Sequence, residues 1–141
     1  MRPMSTDSNT NSPSGGASTT PSKGGGCVLV VDDEADIRET LREAVEMVGC
    51  TAVLAANGAD ALRLLGERKP CLMILDLIMP VMTGEELIEI LQKQSALTHL
   101  PVVISTSAPQ RAPPGIPVLP KPIDLAAFWA WIRQNCHCSA A

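Results

Sequence analysis

The amino-acid sequence predicts an α/β protein in which a parallel sheet is covered by helices on both faces. Short apolar runs rich in β-branched residues alternate with segments whose apolar residues recur at helical spacing. Runs that are apolar throughout are typical of strands buried on both faces, as parallel sheets require. Their alternation with helical segments indicates consecutive βαβ units.

Two strand–helix pairs account for the first half of the predicted domain. Residues 27–31 (CVLVV) predict the first strand, and the helical spacing over residues 37–48 predicts a helix that Gly49 ends. Residues 51–55 (TAVLA) predict the second strand. An Asn-Gly turn signal then precedes a second, shorter helix that carries the apolar residues of 61–65.

Two further strands and a capped helix follow. Residues 71–75 (CLMIL) predict the third strand and residues 101–105 (PVVIS) the fourth. Between them lies a helix over residues 87–91. Thr83 is its expected N-cap, and Glu86, three residues later, completes the sequence pattern of a capping box.

The connection to the fifth strand is unusually short. Residues 117–119 predict a brief fifth strand, and residues 125–132 a final helix capped by Asp124. Only residues 107–116 separate the fourth and fifth strands, whereas a parallel crossover with its helix normally needs at least about 10–12 residues. This segment also contains three prolines, which a helix interior does not tolerate. We therefore predict that the fourth helix is missing or reduced to a turn.

Composition limits the classes of function. The 141 residues match one ordinary domain, and a net charge of −4 with only three aromatic side chains argues against direct DNA binding. No apolar run approaches the roughly 18 residues that span a bilayer, and no signal peptide is evident, so we expect a cytoplasmic protein without membrane insertion. In that compartment the five cysteines are expected to be free thiols.

Composition also divides the chain. Residues 1–26 consist mostly of Ser, Thr, Gly, Pro and Asn, which cannot bury enough apolar surface to fold, so we predict a disordered tail. Residues 27–138 form the predicted domain, and residues 139–141 a frayed C-terminus.

Acidic, hydroxyl and lysine side chains follow the strands at their carboxyl ends, where open parallel sheets bind ligands. These residues are Asp32 and Asp33 after the first strand, Asp76 after the third, Thr106 and Ser107 after the fourth, and Lys121 after the fifth. Neighbouring carboxylates repel one another, and a cation relieves that repulsion. Because the donors are oxygens, the pattern predicts a Mg²⁺ site.

Such a cluster suits phosphoryl chemistry. A carboxylate held beside a metal and a lysine can attack phosphorus and form an acyl phosphate. Taken singly, Asp33 is as well explained as a helix cap and Lys121 as a solvated charge. The agreement of four strand ends favours the functional interpretation.

Four stretches of the sequence resemble the signature segments of the receiver domain of two-component response regulators. They are VLVVDDE (28–34), LDLIMPVMTGEEL (75–87), PVVISTSA (101–108) and the pair Lys121-Pro122, within a resemblance that covers about residues 27–135. The resemblance implies a flavodoxin-like, doubly wound fold with five parallel strands in the order 2-1-3-4-5.

The resemblance also implies residue roles. Asp76 would accept a phosphoryl group from a histidine kinase or a histidine phosphotransfer protein. Mg²⁺ would be held by Asp32, Asp33, Asp76 and the backbone carbonyl of Ile78. Thr106 would hydrogen-bond the phosphoryl group, in preference to Ser107, and Lys121 would pair with it. The expected protein is a stand-alone receiver that acts on an unknown downstream protein and catalyses only its own phosphorylation and slow dephosphorylation.

Departures from the family keep a second function open. Ser107 stands where the family usually has alanine or glycine, and Val118 stands where many members carry an aromatic side chain that rotates. Together with the short crossover, these favour a pseudo-receiver that binds partners without phosphorylation as the alternative. An aspartyl-phosphate phosphatase is disfavoured, because such enzymes carry a general acid at the position of Ile78.

Two further features, a tryptophan and a Cys-His-Cys segment, lie near the end of the predicted domain. Trp131 lies off the apolar face of the final helix, where it serves either as an exposed anchor for a partner or as packing at the rim. Cys136-His137-Cys138 offers fewer ligands than the four that zinc usually needs, so we interpret it as a frayed helix end.

Overall fold

The computed structural model describes residues 27–95 and 99–138. The tail predicted over 1–26 and the frayed end predicted over 139–141 lie outside the described residues. Five strands and four α-helices form within the described ranges. In chain order they are β1 (Cys27–Val31), α1 (Ala35–Met47), β2 (Thr51–Ala55), α2 (Gly58–Glu67), β3 (Leu72–Leu75), α3 (Gly84–Lys93), β4 (Val102–Thr106), β5 (Val118–Pro120) and α4 (Leu125–Asn135).

All neighbouring strands of the sheet run parallel, in the order β2-β1-β3-β4-β5. Val28 of β1 pairs with Ala52 on one side and with Leu72 on the other. The first described strand, β1, therefore lies in the interior of the sheet. The chain then forms the edge strand β2 before it crosses to the strands on the other side of β1. The predicted doubly wound order 2-1-3-4-5 is confirmed.

The sheet separates two apolar cores. One core lies under α1 and α4 and includes Val30, Ile74 and Phe128. The other lies under α2 and α3 and includes Leu29 and Leu75. Strands β1 and β3 are buried at every residue, as their uninterrupted apolar sequences predict, and β4 is buried throughout although it ends in the polar residues Ser105 and Thr106. No helix of the described residues is long and apolar enough to cross a membrane.

The helix ends carry the caps that the sequence predicts. The Thr83 hydroxyl accepts a hydrogen bond from the backbone N–H of Glu86, and the Glu86 carboxylate accepts one from the N–H of Thr83, at 3.1 and 2.9 Å. The Asp124 carboxylate accepts from the N–H of Ala126 at 3.0 Å. Gly49 follows α1 with a φ of 86°, a conformation that favours glycine.

The connection between β4 and β5 holds a three-residue 3-10 helix, Pro109–Arg111. A fourth α-helix is present in the chain, but it is α4, which follows β5. The guanidinium of Arg111 contacts the Glu85 carboxylate at 3.0 Å and so ties this connection to the start of α3.

The expectation of free thiols is wrong for four of the five cysteines. Cys50 is bonded to Cys138, and Cys71 to Cys136, while Cys27 is unbonded and buried. The two bonds fix the residues after α4 to the sheet, so the interpretation of the Cys-His-Cys segment as a frayed end is also wrong. Sequence spacing did not reveal these pairs, because their members are 88 and 65 residues apart.

Candidate functional site

Asp76 lies at the carboxyl end of the central strand β3 and is only 6% exposed. Its backbone N–H donates to the carbonyl of Val31 at 2.9 Å, which continues the ladder one residue past the strand. Its Oδ1 accepts from the N–H of Ile78 at 3.3 Å, and its Oδ2 lies 3.5 Å from the Lys121 ammonium group. The carboxylate is thereby held in one orientation at the sheet edge.

Asp32 is the second buried carboxylate of the site. Its Oδ1 accepts from the N–H of Glu34 at 2.8 Å, and its Oδ2 accepts from Lys121 at 2.8 Å. The guanidinium of Arg38, on the first turns of α1, donates to its backbone carbonyl at 2.6 Å. Both carboxylate oxygens and the carbonyl are therefore fixed by local partners.

Lys121 connects the strand ends. Its backbone N–H donates to the carbonyl of Thr106 at 3.0 Å, which aligns the residue after β5 with the end of β4. Its side chain is 15% exposed, and its ammonium group lies within 4 Å of the carboxylates of Asp32, Asp76 and Glu34. One cation thus serves three anions, and Asp32 is the nearest of them.

Asp33 completes a cluster of three carboxylates at this edge. Carboxylate oxygens of Asp32, Asp33 and Asp76 all lie within 4.8 Å of one another, and the Asp33 side chain is exposed to solvent. Lys121 pairs with two of these three carboxylates, Asp32 and Asp76, so the cluster retains excess negative charge. Oxygen donors with one side open to water are the ligands that Mg²⁺ prefers. The residues present therefore fit this metal.

The surroundings shift two of the pKa values. Burial raises the pKa of Asp76, the negative charge of Asp32 raises it further, and Lys121 offsets only part of the increase. Burial by itself lowers the pKa of Lys121, but the hydrogen bond from Lys121 to Asp32 and the nearby carboxylates raise it above its ordinary value. Lys121 is therefore a fixed positive charge at neutral pH.

The loop after Asp76 needs Gly84 at the start of α3. A Cβ built on Gly84 would lie 2.8 Å from the Cα of Leu77 and would clash with the carbonyl oxygen of Asp76. The N–H of Gly84 donates to the carbonyl of Leu77 at 2.9 Å. This close approach folds the loop back on itself and leaves Ile78 47% exposed beside the carboxylates.

The two hydroxyl residues after β4 differ in position. Thr106 is fully buried at the end of β4, and its hydroxyl accepts from the N–H of Ala108 at 3.0 Å. Ser107 is exposed. Ile104 pairs with Leu75, so Thr106 lies close to the level of Asp76 at the sheet edge. The preference for Thr106 over Ser107 as the partner of the phosphoryl group stays a prediction.

Trp131 lies away from this edge. It is partly buried and packs against the core under α1 and α4, and its carbonyl accepts from the Asn135 side chain at 2.8 Å. The neighbouring Trp129 donates its indole N–H to the carbonyl of Ala44 at 2.9 Å. Of the two interpretations of Trp131, packing at the rim describes its environment. Val118, at the start of β5, is also partly buried.

Two residues of the site, Glu34 and Arg38, are not among those predicted from the sequence. Glu34 reaches Lys121 at 3.7 Å, although its side chain is 62% exposed. Arg38 holds the Asp32 carbonyl from α1. Arg38 lies six residues after Asp32 and one turn into a helix that starts beside it, so the helix assignment could have indicated it. No pattern distinguishes Glu34, which precedes α1, from the acidic residues of that helix.

The open parallel sheet, with three carboxylates and a lysine at its carboxyl edge, places the chain in the class of doubly wound α/β proteins with an acidic site at that edge. Within that class the family follows from sequence. Residues 28–113 match the response regulator receiver domain, and the chain belongs to that family, the receiver domains of two-component systems.

Curated relatives show the same similarity over part of their length. The Regulator of RpoS of Escherichia coli K12 is 42% identical over 79 residues, which are 56% of this chain and 23% of that protein. The phosphate regulon transcriptional regulatory protein PhoB of Pseudomonas aeruginosa is 36% identical over 83 residues, 59% of this chain and 36% of that protein. The chain spans well under half the length of these relatives.

Solved structures share the fold. A response regulator receiver protein from Pseudomonas putida superposes with a TM-score of 0.71 at 27% identity, covering 80% of this chain and 99% of that one. The chemotaxis response regulator CheY4 of Vibrio cholerae gives a TM-score of 0.70 at 25% identity, covering 79% and 98%.

Proposed function

We propose that the chain is a phospho-acceptor in two-component or phosphorelay signalling and that Asp76 is the phosphorylated residue. One observation carries the proposal. The Asp76 carboxylate lies in a cluster with those of Asp32 and Asp33, within 4.8 Å, and its Oδ2 is 3.5 Å from the ammonium group of Lys121. A carboxylate between a cation site and a lysine is suited to attack a phosphoryl group.

In the proposed reaction, a carboxylate oxygen of Asp76 forms a bond to phosphorus while the bond from phosphorus to the donor's imidazole nitrogen breaks. The bonding electrons stay with that nitrogen, which then takes up a proton. The product on the chain is an acyl phosphate. Lys121 is close enough to pair with an oxygen of the transferred group, and the buried Thr106 hydroxyl supplies a hydrogen-bond partner at the same edge.

The residues that would hold Mg²⁺ are Asp32, Asp33 and Asp76 with the backbone carbonyl of Ile78. Bound Mg²⁺ supplies positive charge that neutralises the phosphoryl oxygens. Asp32 contributes to this site from a fixed position, because Glu34 and Lys121 orient its carboxylate oxygens.

The partners follow from the same chemistry. The donor is a histidine kinase or a histidine phosphotransfer protein, and the output is contact with a downstream protein rather than direct DNA binding. We place this activity in the cytoplasm. The chain is not otherwise an enzyme. Ile78 presents an apolar side chain beside Asp76 and cannot orient a hydrolytic water, so we expect slow dephosphorylation.

Intact-protein mass spectrometry after incubation with acetyl phosphate tests the proposal. A single phosphoryl adduct is expected with Mg²⁺ present, and none with a chelator or in Asp76→Asn. Asp36→Asn, which changes an acidic residue of α1 outside the carboxylate cluster, is the matched control and keeps the adduct. An adduct that survives in Asp76→Asn would refute the assignment, and an acyl-phosphate half-life of seconds would refute slow dephosphorylation.

A pseudo-receiver that binds partners without phosphorylation is the second candidate. It is favoured by the short β4–β5 connection, which holds only a 3-10 helix among its described elements, and by Val118 in place of an aromatic. The same experiment separates the two functions. A folded protein that gives no adduct with any phosphodonor while a cognate partner still binds would establish the pseudo-receiver.

A further inference from the structure

We propose that Cys50, Cys71, Cys136 and Cys138 form a redox-modification site, in which two disulfides made and broken by thiol–disulfide exchange fasten the end of α4 to the sheet. This inference goes beyond the proposed function and does not depend on phosphorylation of Asp76. The co-reactant is a small-molecule disulfide, such as oxidised glutathione, or a protein disulfide of the same reactivity.

The four cysteines lie at the amino edge of the sheet, opposite the carboxylate cluster. Cys50 directly precedes β2 and Cys71 directly precedes β3, while Cys136 and Cys138 follow α4. The paired Cα atoms are 5.1 Å apart for Cys50 and Cys138 and 5.3 Å apart for Cys71 and Cys136. Both distances are within the range that a disulfide spans.

The C-terminal pair is spaced more closely than its targets, and the paired Cα distances of 5.1 and 5.3 Å show that the cysteine side chains span the difference. Cys136 has extended backbone angles, and side chains two residues apart on an extended chain point to the same side, roughly 7 Å apart. Strand β1 separates β2 from β3, which places these strands roughly 10 Å apart. A Cys-x-Cys segment laid across the sheet therefore reaches two different strands, one with each sulfur.

The helix before these cysteines is anchored by apolar packing at its middle. Phe128 and Ile132 of α4 are buried in the core, and the N–H of Cys136 donates to the carbonyl of Ile132 at 2.7 Å. The disulfides extend this attachment past the last turn. Each closes a long loop, of 88 and 65 residues, and loops of this length lose much chain entropy when they are closed.

Each disulfide joins one buried cysteine to one that is partly exposed. Cys50 and Cys136 are 6% exposed, whereas their partners Cys138 and Cys71 are partly exposed. An incoming thiolate can attack the accessible member of each pair, which makes both bonds reducible in the folded chain. Cys27 is buried and unbonded, and burial raises the pKa of its thiol, so it serves as the internal control.

Formation of each disulfide is a balanced exchange. The thiolate of one cysteine attacks a sulfur of the oxidant's disulfide, which releases one thiol and leaves a mixed disulfide on the chain. The thiolate of the second cysteine then attacks the chain sulfur of that mixed disulfide and releases the second thiol. Two cysteine thiols are oxidised by two electrons, and the oxidant's disulfide is reduced to two thiols.

Thiol trapping of the full chain tests the site. The reduced protein is equilibrated with oxidised or reduced glutathione, denatured and alkylated. Intact-protein mass spectrometry then counts the alkyl groups. We expect five alkyl groups on the reduced chain and one, on Cys27, after oxidation, with linked peptides that pair Cys50 with Cys138 and Cys71 with Cys136. Oxidation should raise the melting temperature by about 10 °C or more, given the usual effect of long-loop disulfides.

Single variants separate the two bonds. Cys138→Ser is expected to keep only the Cys71–Cys136 disulfide, Cys136→Ser only the Cys50–Cys138 disulfide, and Cys27→Ala both. Hydrogen exchange on the unmutated chain gives a readout that needs no variant: reduction should speed exchange in the last turn of α4 and leave the loop after Asp76 unchanged. A bond between Cys136 and Cys138, five free thiols in oxidised glutathione, or bound zinc on the four thiols would each overturn the proposal.

Phosphorylation of Asp76, measured in the oxidised and reduced chains, distinguishes a failure of the redox site from a failure of the proposed phospho-acceptor function. Because the disulfides lie at the opposite sheet edge from Asp76, Mg²⁺-dependent loading by acetyl phosphate should agree within about twofold between the oxidised and reduced chains. Disulfides that form in a chain that never loads would refute the phospho-acceptor and leave the redox site standing. A chain that loads but never forms the two disulfides would refute only the redox site.

Discussion

The ammonium group of Lys121 lies 2.8 Å from Oδ2 of Asp32, and both side chains are almost entirely shielded from water, at 15% and 3% exposed. The pair joins the end of β1 to the residue after β5, across the whole carboxyl edge between them. It therefore holds the site together mechanically as well as electrostatically. A buried ion pair of this kind is sensitive to the removal of either partner.

Lys121→Gln should destabilise the chain by roughly 2–4 kcal/mol, because it leaves the buried Asp32 carboxylate without its cation. Urea unfolding in the presence of a chelator measures the loss. Mg²⁺ should restore part of the stability, since it returns positive charge to the cluster. Lys93→Gln is the matched control: Lys93 is 76% exposed, and its pair with Glu89 at 3.8 Å is a surface pair. A similar loss in both variants would show that the Asp32 contact has no special weight.

Asp76→Asn should stabilise the metal-free chain at pH 7 by about 1 kcal/mol, a size typical of single substitutions. The pKa of Asp76 is raised by burial and then by the charge of Asp32, so the folded state holds this proton more tightly than the unfolded state does. Stability from this group is present below the ordinary pKa of 3.8 and is lost as pH rises through the folded value. An asparagine at this position carries no charge, so the variant does not lose stability through ionisation as the pH rises.

The gain from Asp76→Asn should therefore shrink as the pH approaches 3.8 and below. Unfolding free energies of both proteins across that range, with a chelator present, provide the check. A difference that is constant with pH would mean that the ionisation of Asp76 is not its cause.

Gly84→Ala should destabilise the chain by roughly 2–4 kcal/mol, as steric overlap with backbone does elsewhere. The added Cβ meets backbone atoms of Asp76 and Leu77, which cannot move aside without shifting the site. Gly66→Ala is the control, because Gly66 lies in α2 with no atom within 4 Å of the added Cβ. That variant should be more stable than the parent by about 0.5–1 kcal/mol. Equal effects of the two alanines would contradict the close approach at Gly84.

Asp33→Asn should weaken Mg²⁺ binding by at least about tenfold with little change in fold stability, because Asp33 is an exposed member of the carboxylate cluster. Titration calorimetry with MgCl₂ measures the affinity. Asp36→Asn removes the same charge in the first turn of α1, outside the cluster, and should leave the affinity within about twofold of the parent. Equal losses in both variants would assign the effect to net charge and not to coordination.

The sheet can be predicted from the sequence because each central strand is recognisable as a short apolar run. Val28 to Val31 and Leu72 to Leu75 are buried at every position, and the strand ends place Asp32 and Asp76 next to each other once β1 and β3 are neighbours. The preference for Thr106 over Ser107 needed only its distance from Pro101. Chain order and the parallel register therefore fix the location of the site.

The remaining features depend on distances that no local pattern encodes. The Cys50–Cys138 bond joins residues 88 positions apart, and the expectation of a reducing compartment pointed the other way. The contact of Glu34 with Lys121 depends on side-chain reach across the edge. The sequence does not decide whether Trp131 is exposed or packed, because packing against α1 determines which face of α4 meets the core.

One of the two edge strands, β5, carries a further consequence for association. β5 comprises only Val118–Pro120. The carbonyl of Pro117 accepts from the N–H of Ile104 in β4, so the alternate residues Val118 and Pro120 face outward, and Pro120 lacks a backbone N–H. A strand from another chain needs such donors to extend a sheet. The border at β5 is therefore poorly suited to strand addition, and of the two edges of the sheet the one at β2 offers the more complete set of backbone donors.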